Sequence, residues 1–313
     1  MDKKDRIFVA GHKGLVGSAI LRKLNKLGYE NILFEDRSNL DLMNNNLVND
    51  YFGDMNISYV FDAAARVGGI HANDKYCGDF IYENTLIQTN LIHASGINKI
   101  KKFIFLGSVC IYPKYADTPV REESLLKGEL EPTNQAYAIA KIHGIHMLKA
   151  YNKQHGLKGV SLMPANLYGP FDNFHPQNGH VIPALMHKFY NNNETVICWG
   201  DGTARREFLY VDDLADACIF ASKHFSDAEL INVGSGNEVT IRELVEILKN
   251  ITGFNGKVKW DSSKPNGTPK RPLDYSKLKK LGWAPKYDLN TGLVEAFKWY
   301  KDNIAEVQRK INT

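Results

Sequence analysis

Short apolar runs alternate with longer amphipathic segments along the first half of the chain. The runs have the length of strands and predict strands buried on both faces, at 7–10, 31–34, 59–64, 102–106 and 160–163. Between them apolar residues recur at helical spacing, over about 15–27, 79–96 and 134–154. Because strands that alternate with helices form parallel sheets, the pattern predicts an α/β fold. We expect a Rossmann-type, doubly wound parallel sheet with its ligand at the carboxyl edge.

The second half of the chain has a different pattern. Residues 166–200 are rich in Asn, Pro, His and aromatic residues, as expected of a loop-rich substrate region. Strands are predicted at 207–211 and 231–233, and the capping box from Thr240 to Glu243 opens a helix that continues through Leu248. We therefore predict two units, a dinucleotide-binding domain and a smaller C-terminal α/β substrate lobe. The first comprises 1–165 with 204–233 returning to it, and the second comprises 166–203 and 234–313.

Composition and charge narrow the class of protein. The 313 residues, 43% hydrophobic and 24% charged, are typical of a globular chain with an ample core. A net charge of +4 is too small to indicate a nucleic-acid partner, although it suits anionic small molecules. The four cysteines lack CxxC spacing and predict free thiols in a reducing compartment, without a disulfide or metal site. No signal-peptide segment or membrane-length apolar run is present in the sequence, so we expect a cytoplasmic protein without a membrane partner.

A tyrosine and a lysine four residues apart are the first candidates for chemistry. Tyr137 and Lys141 share one face of the predicted helix, downstream of Ser108 at the end of an apolar run. The ammonium favours the phenolate, and is therefore predicted to lower the tyrosine pKa until a proton exchanges near neutral pH. The Ser108 hydroxyl can share the carbonyl oxygen on which charge develops. Such pairs are common on helix surfaces, but a preceding glycine-rich turn and strand-end serine favour hydride transfer between a nicotinamide and a carbonyl carbon.

Three glycines at intervals of three follow the first predicted strand. They lie in the segment Gly11-His12-Lys13-Gly14-Leu15-Val16-Gly17, which also opens the first helix. Glycine permits a tight turn and a close backbone approach, and the helix N-terminus stabilises a pyrophosphate. This context favours a dinucleotide site over a plain tight turn.

The end of the second strand distinguishes NADP from NAD. An acidic residue there usually binds the ribose hydroxyls, whereas arginine accommodates a 2′-phosphate. Lys13 and Arg37 can hold a phosphate, but Glu35 and Asp36 repel one. We expect NADP as the cofactor, with NAD as the alternative.

Longer motifs resemble those of the GDP-L-fucose synthases, a family of extended short-chain dehydrogenases that act on nucleotide sugars. Besides the glycine segment, they are Ala65-Arg66-Val67-Gly68-Gly69-Ile70, Gly107-Ser108-Val109-Cys110-Ile111-Tyr112-Pro113, Glu131-Pro132-Thr133-Asn134, Tyr137-Ala138-Ile139-Ala140-Lys141, Asn166-Leu167-Tyr168-Gly169-Pro170, Asp172-Asn173-Phe174-His175-Pro176, His180-Val181-Ile182-Pro183-Ala184 and Arg206-Glu207-Phe208. The resemblance covers nearly the whole chain, and the segments around Cys110 and His180 are far more specific than the glycines.

The resemblance implies a two-part reaction. The family converts GDP-4-keto-6-deoxy-D-mannose into GDP-L-fucose, by epimerising C3 and C5 beside the ketone and then reducing C4 with NADPH. Ser108, Tyr137 and Lys141 would carry the reduction, while Cys110 and His180 would be the base and acid of epimerisation. The chemistry agrees, because one oxyanion site can serve both steps and inversion needs a base and an acid on opposite ring faces.

The resemblance also implies which residues bind the two ligands. Beyond the glycine segment and the Tyr137/Lys141 pair, the cofactor contacts would be Arg37, Ala63, Ala64, Leu106, Pro164, Ala165, Asn166 and Leu167. The contacts to the GDP-sugar would be Lys188, Trp199, Arg206, Asn266 and Arg271. Three positions depart from the family pattern: Glu35 replaces a frequent arginine, Lys13 the usual arginine and Asn266 the usual aspartate. A GDP-sugar substrate and a homodimer are expected.

Two other functions stay open. The first is a C4 reductase or epimerase–reductase of a related GDP-4-keto-6-deoxy-heptose or other GDP-keto sugar, since one extra carbon needs only a slightly different pocket. The second is a non-catalytic dinucleotide-sensing protein on the same fold. Such proteins typically lose the Tyr/Lys pair, which this chain retains.

Overall fold

Strands and helices alternate along the residues that the computed structural model describes, 1–264 and 272–312. The strands are β1 (Ile7–Ala10), β2 (Ile32–Leu33), β3 (Tyr59–Asp62), β4 (Lys102–Leu106), β5 (Gly159–Pro164), β6 (Asn166–Tyr168), β7 (Thr195–Trp199), β8 (Arg205–Tyr210), β9 (Asp227–Val233), β10 (Glu238–Thr240) and β11 (Lys257–Asp261). The α-helices are α1 (Leu15–Lys26), α2 (Asn45–Met55), α3 (Ile70–Lys75), α4 (Cys77–Ile97), α5 (Gln135–His155), α6 (Val181–Asn191), α7 (Val211–His224), α8 (Ile241–Thr252), α9 (Ser276–Lys280), α10 (Leu289–Asp302) and α11 (Ile304–Asn312). Short 3-10 helices span Val109–Ile111, Glu122–Ser124 and Pro132–Asn134.

Six parallel strands form the central sheet, in the order β2-β1-β3-β4-β5-β9. The predicted α/β fold with a Rossmann-type parallel sheet is therefore confirmed. Strands β1, β4 and β5 are buried along their whole length, which explains their unbroken apolar runs. In register, Asp62 at the end of β3 lies between Ala10 of β1 and Phe105 of β4. The carboxyl ends of the middle strands thus meet at one edge.

Helix α5 lies close to this sheet because a glycine allows it. A Cβ at Gly144 would come within 2.5 Å of the Phe105 ring and 2.9 Å of the Gln88 side chain. The Gln88 amide donates a hydrogen bond to the backbone oxygen of Ala140, which ties α4 to α5. The close approach brings the inner face of α5 to the end of β4.

The C-terminal half forms two small sheets of its own. One has the order β10-β8-β6, and the other pairs β7 with β11. Residues 204–233 were expected to return to the dinucleotide domain, but the structure divides them. Strand β8 pairs with β6 and β10, whereas β9 joins the central sheet. Of the apolar residues of β8, Leu209 packs in the larger core around the central sheet, while Phe208 and Tyr210 pack in the smaller one.

Two hydrophobic cores accompany these sheets. The larger core surrounds the central sheet and includes Leu273, Leu278 and Trp283, although 234–313 was expected to belong entirely to the substrate lobe. The smaller core includes residues of β6, β7, β8, α6, α8 and α10. The predicted capping box is present, with the Thr240 hydroxyl accepting from Glu243 and the Glu243 carboxylate accepting from the Thr240 backbone.

Two searches of the described residues bear on the sequence predictions. Over 1–264 and 272–312, no helix is long and apolar enough to cross a membrane. The same residues contain no group of three or more His, Cys, Asp or Glu side chains suited to a metal ion. All four cysteines are free, with Cys77 exposed and Cys198 and Cys218 buried.

Candidate active site

The glycine segment presses against the end of β3. Gly11 has a φ of +74°, and a Cβ there would lie 2.7 Å from the Ala63 backbone oxygen. A Cβ at Gly17 would overlap the Gly11 carbonyl and approach the His12 Cα to 2.9 Å. Gly14 is the N-cap of α1, so the first backbone N–H groups of this helix open at the same edge. Such a helix start binds a pyrophosphate.

An ion pair joins the glycine segment to the end of β2. Lys13 Nζ lies 2.6 Å from the Asp36 carboxylate, and His12 Nε2 lies 3.3 Å from it. These contacts hold the pKa of Asp36 below its usual value. Glu35 instead accepts a hydrogen bond from Asn39, and Arg37 lies 3.8 Å from Asp41. Asp36 therefore holds Lys13 at the position where the adenosine ribose is expected.

Ser108 follows β4 and caps the next turn. Its hydroxyl accepts a hydrogen bond of 3.2 Å from the Cys110 backbone N–H, which fixes the 3-10 helix Val109–Ile111. Cys110 packs against a small cluster that includes Phe80 and Tyr137. The Asn134 amide donates to the Cys110 sulfur at 3.3 Å. The hydroxyl, the thiol and the phenol are therefore brought together, as the sequence predicted for a shared carbonyl site.

The Tyr137 phenol is protonated in this environment. Tyr137 is only 9% exposed, and burial raises its pKa well above the usual value. The charges of Cys110 and Asp62 raise it further, while the interaction with Ser108 lowers it. The sequence predicted that Lys141 lowers this pKa, but burial raises it, and the side chains that act on it are Cys110, Ser108 and Asp62.

Lys141 is buried one helical turn beyond Tyr137. Its Nζ donates a 2.9 Å hydrogen bond to the Leu106 backbone oxygen and lies 4.9 Å from the centre of the Phe105 ring. The centre of the Tyr137 ring is 6.0 Å away. Burial lowers the pKa of the Lys141 ammonium, whereas the charge of Asp62 raises it. The lysine thus anchors α5 to the end of β4.

A loop before α3 is fixed to α4 and to the His180 segment. The Asn84 side chain accepts from the Arg66 backbone N–H and donates to the Arg66 oxygen, both at 3.0 Å. Three residues later, the Gly69 N–H donates to the Asn178 oxygen at 2.9 Å. A Cβ at Gly69 would clash with the Gly179 backbone, so the contact requires glycine.

His180 is the N-cap of α6, directly after this contact. Its side chain is exposed, but the protein around it still lowers the pKa of the imidazole by desolvation. Gly68 lies against Ala72 and Phe80, which pack in the same cluster as Tyr137. This chain of contacts connects the His180 segment to the Tyr137 and Cys110 cluster.

The other predicted cofactor residues lie at the strand ends. Ala63 and Ala64 follow β3, Leu106 ends β4 and Pro164 ends β5. The Ala165 N–H donates to the Val233 oxygen at 2.9 Å, and the Asn166 amide donates to the Glu207 oxygen at 2.9 Å. Leu167 belongs to β6 and is partly buried.

The predicted substrate residues lie in the C-terminal half. Lys188 is on α6, where burial lowers the pKa of its ammonium. Trp199 ends β7 and is 41% exposed, with Lys264 Nζ 5.8 Å from its ring centre. Arg206 is on β8 and donates to the Arg205 oxygen at 2.8 Å. The predictions for Asn266 and Arg271 lie outside the described residues.

Three side chains at this site were not identified as functional in the sequence. The sequence signal for Asp62 is a carboxylate at the end of an otherwise apolar strand. Asn134 belongs to the Glu131-Pro132-Thr133-Asn134 motif, but its contact with the Cys110 sulfur arises only when the chain is folded. Asp36 was expected only to repel a phosphate and is found holding Lys13.

Comparisons with known proteins place the chain in a family. The sequence model of the NAD dependent epimerase/dehydratase family matches residues 7–234. The chain belongs to this family. GDP-L-fucose synthase 1 of Arabidopsis thaliana is 53% identical over 307 residues, which cover 97% of this chain and 95% of that protein. GDP-L-fucose synthase of Escherichia coli (strain K12) is 47% identical over 313 residues, covering 96% and 98%.

A solved structure of the same fold matches this chain over a similar share of its length. The GDP-mannoheptose C4 reductase of Campylobacter jejuni with NADP bound has a TM-score of 0.88 to this chain and 36% identity, and the match covers 96% of this chain and 99% of that one. Family membership gives the chain a nicotinamide cofactor. The cradle that a Cβ at Gly11 or Gly17 would fill, and the helix start at Gly14, fit such a group.

The glycine segment yields a test that separates folding from cofactor binding. In Gly17→Ala the new methyl group must displace backbone, so we expect a loss of about 1–3 kcal/mol of stability together with weak cofactor binding. In Gly14→Ala the Cβ meets only Gly11 oxygen at 3.4 Å, so stability is retained while pyrophosphate approach is impaired. Thermal unfolding and fluorescence titration with NADPH measure the two effects, and equal stability losses in both variants would contradict the account.

Proposed function

We propose that this protein is an NADP-dependent epimerase–reductase that converts GDP-4-keto-6-deoxy-D-mannose to GDP-L-fucose. The observation that carries the proposal is the cluster in which Tyr137 and Cys110 meet beside Ser108. A reductase alone requires a hydroxyl donor at the ketone, but it has no need of a thiol there. The relatives with 47–53% identity, named GDP-L-fucose synthases, support the same reaction.

The reduction uses the protonated phenol. Ser108 and Tyr137 bind the C4 carbonyl oxygen, and Tyr137 gives it a proton as the ketone becomes an alcohol. A bound nicotinamide cofactor would supply the hydride. The buried Lys141 ammonium stabilises the phenolate that is left, and a proton from solvent then restores the phenol.

Epimerisation uses the same oxygen site before reduction. Hydrogen bonds from Ser108 and Tyr137 stabilise the enolate that forms when a proton leaves C3 or C5. Cys110 removes that proton and His180 returns one to the opposite face. Cys110 acts as the thiolate and becomes a thiol, while His180 acts as the imidazolium and becomes neutral, and proton exchange with solvent restores both groups. Because desolvation lowers the pKa of the His180 imidazole, it takes up this proton from solvent for each inversion.

Polar and aromatic side chains of the C-terminal half are the remaining candidates for ligand contacts. We propose that Lys188, Trp199 and Arg206 contact the GDP-sugar, where a cation and an aromatic surface suit phosphates and a guanine. Asn266 and Arg271 are proposed contacts from the sequence alone. The two-domain division stays a proposal, with the cofactor held by the central sheet and the sugar by the C-terminal half.

Assembly and location are proposed as a cytoplasmic homodimer. Exposed apolar side chains on α4 and α5, among them Tyr82, Ile97 and Ile139, support a helical contact between two copies. The exposed Cys77 is consistent with a reducing compartment. Light scattering of the purified protein measures the assembly directly.

A GDP-4-keto-heptose is the second candidate substrate. The 36% identity to the Campylobacter jejuni GDP-mannoheptose C4 reductase supports it. Incubating the enzyme with GDP-4-keto-6-deoxy-mannose and, separately, its heptose counterpart, each with NADPH, compares the two by kcat/KM. Product analysis by NMR then distinguishes epimerisation with reduction from reduction alone.

Tyr137→Phe tests the proton donor. Removal of the hydroxyl should lower ketone reduction by about 10²–10⁴-fold, while the cofactor Kd stays nearly unchanged, because only the acid is lost. Tyr115→Phe, at a side chain that is 82% exposed, serves as the control and should retain activity. Single-turnover reduction near the wild-type rate in Tyr137→Phe would contradict the assignment.

Cofactor preference depends on Lys13, Glu35 and Arg37. We expect a modest preference for NADPH in kcat/KM and a stronger one in Glu35→Arg, which replaces a repelling carboxylate with a phosphate ligand. Glu30→Arg makes the same charge change at the other end of β2 and should leave the ratio unaltered. A clear preference of the wild-type enzyme for NADH would overturn this prediction.

Cys110→Ser separates the two chemistries. Because a serine hydroxyl ionises far less readily than a thiol, little anion is available to remove the proton, and deuterium uptake from D₂O at C3 and C5 should fall by about 10²–10⁴-fold. An unepimerised 4-keto sugar should still be reduced slowly, since Ser108, Tyr137 and Lys141 remain. In His180→Ala, exchange should persist while inversion fails, and Cys77→Ser is the exposed control. Undiminished epimerisation in Cys110→Ser would leave a reductase alone.

A further inference from the structure

Asp62 is a fully buried carboxyl group at the centre of the sheet edge. It ends β3, is 0% exposed and lies between Ala10 and Phe105 in the middle of the sheet. Among the described residues no side chain hydrogen-bonds to either carboxylate oxygen, and a hydrogen bond from the Ala64 backbone N–H lowers the pKa of the group. Burying a carboxylate is unfavourable unless an opposite charge compensates for it.

The charged group beside Asp62 is Lys141, because Asp62 is in register with Phe105 and Lys141 Nζ lies 4.9 Å from the centre of the Phe105 ring. The side chain is 3% exposed, and its hydrogen bond to the Leu106 backbone oxygen is made to a neutral acceptor. Burial alone lowers the pKa of Lys141, and the Asp62 carboxylate acts in the opposite direction. Burial raises the pKa of Asp62 to about 6. Lys141 acts in the opposite direction and favours the ionised form of Asp62. Each charge is therefore maintained by the other.

The other elements around Lys141 contribute no further acid. Strand β4 supplies the Phe105 ring and the Leu106 oxygen, α4 supplies Gln88 beside Ala140, and α5 supplies Tyr137 and, farther along, His143. Cys110, on the turn after β4, acts on Tyr137. Among the described residues, Asp62 is the carboxylate whose charge acts on Lys141.

We propose that Asp62 is a positioning residue for the reduction, the counter-ion that keeps Lys141 protonated beside Tyr137. This rests on the proposed function, in which Tyr137 donates a proton and Lys141 stabilises the resulting phenolate. Burial raises the pKa of Tyr137, and the negative charge of Asp62 acts in the same direction. Asp62 thus acts on both groups without touching the substrate.

The pH profile of single-turnover ketone reduction tests this role. Without Asp62, Lys141 and Tyr137 lose their protons at lower pH, so the alkaline limb should move down by about one unit or more in both Asp62→Asn and Asp62→Leu. An acid limb near pH 6, from protonation of Asp62, should be present in the wild type and absent from both variants. Asp213→Asn removes a buried carboxylate that holds the Lys286 and Tyr287 N–H groups and should leave both limbs in place. Limbs that coincide with the wild type in both Asp62 variants would overturn the proposal.

A double-mutant cycle tests the pair without cofactor or substrate. Urea unfolding is compared for the wild type, Asp62→Asn, Lys141→Met and the double variant at pH 8. If the two charges stabilise each other, the combined effects of the two single substitutions should exceed the effect of the double substitution by at least about threefold in the unfolding equilibrium constant. Additive effects would contradict the proposed interaction between Asp62 and Lys141. If Asp62→Asn does not fold, Asp62→Leu takes its place in the cycle. A coupled pair in an enzyme that reduces no GDP-keto sugar would instead refute the proposed function and leave the pair standing.

Discussion

The hydrogen bond from Lys141 to the Leu106 backbone oxygen fastens the reactive helix to the sheet. It joins the inner face of α5 to the last residue of β4, and Gly144 makes the close approach sterically possible. Because Tyr137 lies one turn before Lys141, this bond also sets the phenol above the turn that begins at Ser108. A single buried ammonium therefore determines how two elements far apart in sequence meet.

Three ionisable groups at this point are each forced toward neutrality by burial. Desolvation raises the pKa values of Asp62 and Tyr137 and lowers that of Lys141. Apolar side chains of similar volume would be less unfavourable to bury, so the three ionisable groups mark this point as a candidate site of chemistry. The structure illustrates why proximity alone does not predict a pKa: the lysine is near the tyrosine, yet the low dielectric around both decides the direction.

The sequence predicted the features that depend on local spacing. Buried strands appear as apolar runs, and a Tyr/Lys pair four apart must share a helical face, so the central sheet and the α5 pair followed from the pattern. Pairing between distant strands could not be predicted from local spacing, because the apolar residues of β8 suit either sheet. Tertiary packing joins β8 to β6 and β10. The state of Tyr137 was missed for the same reason, since desolvation arises only when α4, α5 and β4 assemble.

The two proposed chemistries share more than an oxygen site. Ser108 caps the turn that carries Cys110, and its hydroxyl accepts from the Cys110 backbone N–H. The same oxygen therefore positions the thiol and lies where a substrate ketone would be bound. Asn134, which contacts the Cys110 sulfur, directly precedes the helix that carries Tyr137. A displacement of either turn would move Cys110 and Tyr137 together, so in the proposed reaction the geometry of enolate formation and that of reduction depend on the same backbone contacts.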